Sequence, residues 1–118
     1  MEAKQKGYDA YQTARLVGAA SRGDLELVKY TLGKGADING RDERGNTPLI
    51  RAAMHGHEAV VAFLLESGAS TGLKNIRGLN AAHALLSAVR KGHIKPEDLF
   101  RAEKHHLISK LLRTAVEF

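Results

Sequence analysis

A chain of 118 residues has the length of one modest domain, and its 43% hydrophobic and 26% charged residues are those of a soluble globular protein. With no Trp and only 5% aromatics, its core must be built from Ala, Leu, Val and Ile. The absence of Cys excludes disulfides and thiolate metal sites, and a net charge of +5 favours an acidic partner surface, or more weakly nucleic acid.

The opening "MEAKQKGYDAYQTAR" has no apolar signal core. Asp9 and Gln12 stand at capping-box spacing, so a helix is predicted to begin there, with Tyr8 and Tyr11 covering the end of the first unit. Next come Leu16, Ala19, Ala20, Gly23, Val28, Leu32 and Gly35-Ala36, a pattern that recurs 33 residues later. The second copy reads Leu49, Ala52, Ala53, Gly56, Val61, Leu65 and Gly68-Ala69. Leu49, Ala52 and Ala53 lie at i, i+3, i+4, one face of a helix. Pro48 sits near its first turn, where a missing N–H costs nothing, and Gly56 ends it. A second helix follows, with Val60, Val61, Leu64 and Leu65 on its buried face, and Gly68 stops it. The apolar run Ala59 to Leu65 is far too short to cross a bilayer. Between the units, "ADINGRDERGNT" reads as a finger of β-turns.

The third unit begins "NIRGLNAAHALLSAVRKGH" and keeps Gly78 and His83. Its Gly92 arrives three residues later than the 33-residue period requires, so either its first helix or the exit loop is longer. Pro96, Glu97 and Asp98 then suit a helix start. Phe100, Leu107, Ile108, Leu111, Leu112 and Ala115 form a helical stripe, and residues 96–117 are read as a long outer helix capping the stack.

Asp42, Gly45, Thr47-Pro48-Leu49, Ala52-Ala53, Gly56-His57, Val60-Val61, Leu64-Leu65 and Gly68-Ala69 together resemble the ankyrin-repeat family. The resemblance covers residues 14–92 and implies an all-α solenoid of helix-turn-helix repeats with β-turn fingers. About three repeats are expected, the outer two being atypical N- and C-terminal caps. One ankyrin-repeat domain over 1–118 is expected, with cap and first repeat at 1–41, second repeat at 42–74, and third repeat plus capping helix at 75–118. Two departures matter. Ile50 replaces the family's usual His after Thr-Pro-Leu, so Thr47 needs another hydrogen-bond partner. In the third unit Thr-Pro-Leu has become Asn80-Ala81-Ala82.

The six histidines are His55, His57, His83, His93, His105 and His106, and no pair has the i, i+4 spacing of a zinc helix. No serine stands in a nucleophile context, and no Gly-Lys-Ser or Gly-Lys-Thr phosphate cradle exists. The expectation is therefore no catalytic residue, no metal, no cofactor and no small-molecule substrate. Basic residues lack aromatic interleaving and no helix has an unbroken basic face, which disfavours nucleic acid.

The resemblance places finger tips and the inner-helix edge on a concave recognition surface. Carried onto this chain, the candidate partner-binding residues are Ile38, Glu43, Arg44, Asn46, Arg51, Met54, His55, Ile76, Arg77 and Leu79. By the same register Ser87-Ala88 would lie at the exposed end of the third inner helix, as Met54-His55 do in the second. The function expected is a protein-protein interaction module that occupies a partner's surface, as an inhibitor, immunity-type protector or adaptor. The alternatives are a nucleic-acid module with a basic finger row and a fragment of a larger ankyrin protein. The partner is expected to carry an acidic patch, and the free chain to be a monomer without a membrane span. Location is expected to be cytoplasmic, or periplasmic or secreted if a leader has been removed.

Overall fold

Short apolar segments separated by glycine turns become five helices in the computed structural model, which describes residues 8–95 together with 108, 110, 111 and 113. They are α1 (Ala10–Arg22), α2 (Leu25–Gly33), α3 (Pro48–Met54), α4 (Glu58–Glu66) and α5 (Ala81–Arg90). No strand occurs among the described residues. α1, α3 and α5 form an inner layer, with α3 packed on both others, while α2 and α4 lie outside on α1 and α3. This is the all-α repeat solenoid anticipated above.

Four of the five helices start where a side chain satisfies an orphan backbone N–H, and α4 alone among them lacks such a cap. Asp9 Oδ1 accepts from Gln12 N at 3.0 Å, Asp24 Oδ1 from Leu27 N at 3.1 Å, and Asn80 Oδ1 from His83 N at 3.0 Å. Thr47, deprived of a histidine partner by Ile50, accepts from the Ile50 N–H itself at 3.1 Å. Pro48 takes the first helical position. The helices stop at left-handed residues. Gly23 has φ 77°, and a Cβ there would meet the His57 ring at 2.6 Å, so the first loop needs glycine for both conformation and space.

The inner layer is closed by alanine. Ala19, Ala20, Ala52, Ala53 and Ala88 are fully buried, and Ala81, Ala82 and Ala84 nearly so. Small side chains let these helices approach closely, and Leu16, Leu49, Leu64, Leu85, Val28, Val60 and Val61 fill the space toward the outer layer. Ile50 is 1% exposed and packs where the family carries a histidine. The outer helices touch each other only lightly. Between them opens a groove of about 460 Å³, floored by Leu25, Ala59, Ala62 and Phe63.

The late Gly92 has a definite cause: α5 has 10 residues where α3 has 7. The extension moves the helix end to Arg90, so Ala88 is buried rather than exposed, correcting the register expectation for Ser87-Ala88. The tyrosine cap also needs correction. Tyr8 and Tyr11 remain 58% and 68% exposed, Tyr8 ahead of the Asp9 cap and Tyr11 on the first turn of α1. The capping helix expected over 96–117 lies almost wholly outside the described residues. Within it, Ile108 and Leu111 have helical backbone and are buried in the core, whereas Lys110 and Arg113 are exposed. Among the described residues no helix is long and apolar enough to cross a membrane.

Leu64 has no exposed surface, so Leu64→Ala is expected to cost about 2–5 kcal/mol through lost contacts and a residual cavity. Ala52→Leu is expected to cost about 1–3 kcal/mol by wedging α3 away from its neighbours. Urea denaturation of both variants measures this. Midpoints equal to the parent would place these residues outside the core.

Candidate functional site: the finger row and inner-helix edge

Two successive fingers are built by the same device with different chemistry. Asp42 Oδ1 accepts from Arg44 N and Asn46 N, both at 2.9 Å. One repeat later Asn75 Oδ1 accepts from Arg77 N at 2.9 Å and Leu79 N at 3.0 Å. These side-chain-to-backbone bonds hold each loop in a fixed turn. The fingers are then tied to each other. Ile76 N donates to Arg44 O at 2.9 Å, and Asn75 Nδ2 donates to Asn46 Oδ1 at 2.8 Å in a buried contact. Asn39 Oδ1 accepts from Ser70 N at 2.8 Å, which couples the bases of the loops. Gly45, with φ 80°, permits this closeness: a Cβ there would lie 3.1 Å from both Asn75 Cα and Ile76 N.

The ten candidate residues divide by this geometry. Asn46 is 3% exposed and its side chain is engaged with Asp42 and Asn75, so it holds the fingers together. Arg51 is likewise turned inward. Its Nε and Nη2 lie 2.9 and 2.8 Å from Asp42 Oδ2. Ile38 and Met54 are half-buried against the core, and Leu79 is half-buried beneath the second finger. Glu43, Arg44, His55, Ile76 and Arg77 are exposed, Ile76 to 73%. The structure therefore brings Arg44, Ile76 and Arg77 together at adjoining finger tips. The sequence reasoning passed over a recess of about 290 Å³ between α1 and the first finger, lined by Ala14, Val17, Arg41, Asp42 and Glu43. Its signal was available: Val17 stands 33 residues before Ile50, a buried inner-helix position.

The electrostatics of the edge are set by these contacts. Burial alone would raise the Asp42 pKa. Bonds from the Asn46 amide, the Arg51 guanidinium and the Arg44 amide outweigh it and hold the carboxyl below 3.8. His55 is pushed below 6.5, first by partial desolvation and then by positive neighbours His57, Arg51, His93 and Lys91. At neutral pH it therefore faces a partner as a neutral imidazole. His57 Nε2 lies 2.9 Å from the Ser21 carbonyl oxygen, so that nitrogen carries the proton and ties the second repeat to the first. Among the described residues no group of three or more His, Asp or Glu side chains converges as metal ligands would.

A family model for ankyrin repeats in many copies matches residues 16–65, the two helix pairs with the finger between them. The chain belongs to the ankyrin-repeat family. Ankyrin repeats imply a protein-protein interaction module. It is 39% identical over 100 residues to the probable E3 ubiquitin-protein ligase XBOS32 of Oryza sativa subsp. japonica, covering 77% of this chain and 19% of that protein. It is 31% identical over 117 residues to BTB/POZ domain-containing protein 3 of Schizosaccharomyces pombe, covering 93% and 22%. It is 49% identical over 51 residues to ankyrin repeat domain-containing protein 39 of Homo sapiens, covering 43% and 28%. The chain thus spans between 19% and 28% of the length of these relatives.

Asp42 links the ankyrin finger to pH. Its folded pKa is lowered, so its contribution to stability is fully present above the unfolded value near 3.8 and is lost as pH falls through the folded value. Asp42→Ala is expected to cost about 1–3 kcal/mol at neutral pH through the unpaired Arg51 and finger amides. That deficit should shrink as pH drops below 3.8, because the parent's own carboxylate is then being protonated. Denaturation midpoints of parent and variant across this range provide the measurement.

Proposed function

We propose that the chain acts by occupying a surface of another protein, without catalysis, through its finger tips and inner-helix edge. The observation that carries this reading is the pre-ordered finger pair. Side-chain and main-chain bonds fix both loops, while Arg44, Ile76 and Arg77 project from them with no packing role in the stack. A loop already held in its docking shape loses little entropy on association. An apolar side chain that is 73% exposed between two arginines forms a compact anchor with a charged rim. The complementary partner carries an acidic patch around an apolar recess. Met54, Leu79 and neutral His55 extend the contact along the inner-helix edge, and Asn46 and Arg51 act from beneath by holding the fingers. Among adaptor, inhibitor and protector, the relatives' names favour the adaptor, since there the matched segment is a small part of longer chains.

Arg44→Glu with Arg77→Glu is expected to weaken a protein captured by pull-down by about 2–5 kcal/mol where the arginines become desolvated, with a strong salt dependence. Lys29→Glu with Lys110→Glu, two charges away from the fingers, should change affinity little. Titration of both variants against the captured protein at two salt concentrations tests the assignment. Loss in the Lys29/Lys110 variant with retention in the finger variant would move the interface to another face.

A further inference from the structure

The N-terminal end of the stack carries a second surface of different composition. Three of the four large exposed apolar side chains among the described residues lie there: Tyr8 at 58%, Tyr11 at 68% and Tyr30 at 50% exposure. They are brought together from two helices and a loop. Asp9 N donates to Gly35 O at 2.9 Å, which holds the chain just after Tyr8 against the loop that follows α2. The Arg15 guanidinium carbon lies 5.5 Å from the Tyr11 ring centroid and 5.8 Å from that of Tyr30. Lys34 Nζ lies 5.6 Å from the Tyr30 centroid on the same patch. The Tyr11 and Tyr30 rings are thereby held by cations, while Tyr8 stands exposed just ahead of α1.

Further exposed cations lie where α1 meets the fingers. Ala14, one residue from Arg15, lines the recess with Arg41, and Arg41 Nη1 reaches Lys74 O at 3.5 Å. Arg41 and Lys74 are both exposed. The nearby carboxylates are largely occupied internally: Asp9 caps α1, Asp37 accepts from Asn39 N, and Asp42 holds Arg51. Asp9 beside Tyr8 and Glu43 beside Arg41 are the exposed acids at the two ends of this surface. Aromatic rings interleaved with cations, absent along the linear sequence, are thus assembled by folding.

We propose that this end of the molecule binds single-stranded nucleic acid. Tyr8 and the cation-free face of Tyr11 stack successive bases, and Arg15, Lys34, Arg41 and Lys74 line the path of the phosphates. Stacking is sequence-tolerant because every base has a π face, and the cations make binding strongly dependent on salt. Arg15 is a positioning residue for the tyrosines as well as a charge. The surface is separate from the Arg44, Ile76 and Arg77 tips, so a protein partner there and a nucleic acid here involve different residues.

The test uses fluorescence anisotropy of the full chain with labelled oligothymidylate and oligouridylate of about 16 nucleotides. Both are expected to bind, with log affinity falling against log salt at a slope of about −3 if four phosphates are neutralised. Tyr8→Ala with Tyr11→Ala should weaken binding about tenfold or more, and Tyr8→Phe with Tyr11→Phe should leave it near the parent value. Both positions are exposed, so unchanged thermal unfolding of these variants verifies the fold. A preference for either oligonucleotide supports the proposal. Absence of binding at low salt, or equal affinity of the Ala and parent chains, overturns it. Competition by polyglutamate at the same charge concentration overturns it too, and assigns the patch to an acidic polypeptide. The Tyr8/Tyr11 Ala variant keeps the finger tips, so its binding to a captured protein separates failure here from failure of the finger reading.

Discussion

Close approach of α1, α3 and α5 through their alanine faces is the constraint on which the other features depend. Ala19, Ala20, Ala52, Ala53 and Ala88 have no exposed surface, and any larger side chain between these helices would separate the repeats. Because the inner helices approach closely, successive fingers come within hydrogen-bond range of each other. The Ile76–Arg44 main-chain bond and the buried Asn75–Asn46 bond exist only at that spacing. The outer helices carry bulkier groups, Tyr30 and Phe63 among them, and touch only lightly. An inner layer set by alanine and an outer layer set by leucine and aromatics produce the tight concave edge and the open groove between α2 and α4.

Asp42 and Asn75 show how one turn can be made with and without charge. Each uses a single side-chain oxygen to accept two amides of its own loop. Asp42 has a second oxygen available for the Arg51 guanidinium, and this pair holds the first finger on α3. Asn75 has an amide nitrogen in that place, and it donates to Asn46 on the preceding finger. The charged version anchors a finger to its own helix, and the neutral version anchors it to its neighbour. Only the first is sensitive to acid.

The surplus of positive charge is therefore not uniform in effect. Arg51 is neutralised by Asp42, and His55 is kept uncharged by desolvation and the cations around it. Arg15 and Lys34 lie against tyrosine rings, while Arg44 and Arg77 have solvent about them. Two exposed groups of cations thus have different apolar companions: one isoleucine at the finger tips and tyrosines at the N-terminal end.

Repeat period, helix faces and the stops at Gly23, Gly56 and Gly68 were legible in the sequence, because periodic burial and the left-handed conformation limit which residues fit. The ankyrin resemblance put Arg44, Ile76 and Arg77 at finger tips, and the three side chains are exposed. Tertiary structure decided what periodicity cannot express. Asn46 and Arg51 look like tip and edge residues in the linear pattern, but contacts across 29 and 9 residues turn them inward. Gly92 announced an insertion, and only packing of α5 against α3 made it three helical residues rather than a longer loop. Tyr30 and Lys34 join Tyr8, Tyr11 and Arg15 because α1 and α2 fold back on one another. Local preference and burial period are properties of neighbouring residues, whereas pairing of charges, amides and rings depends on which distant segments the packed core brings together.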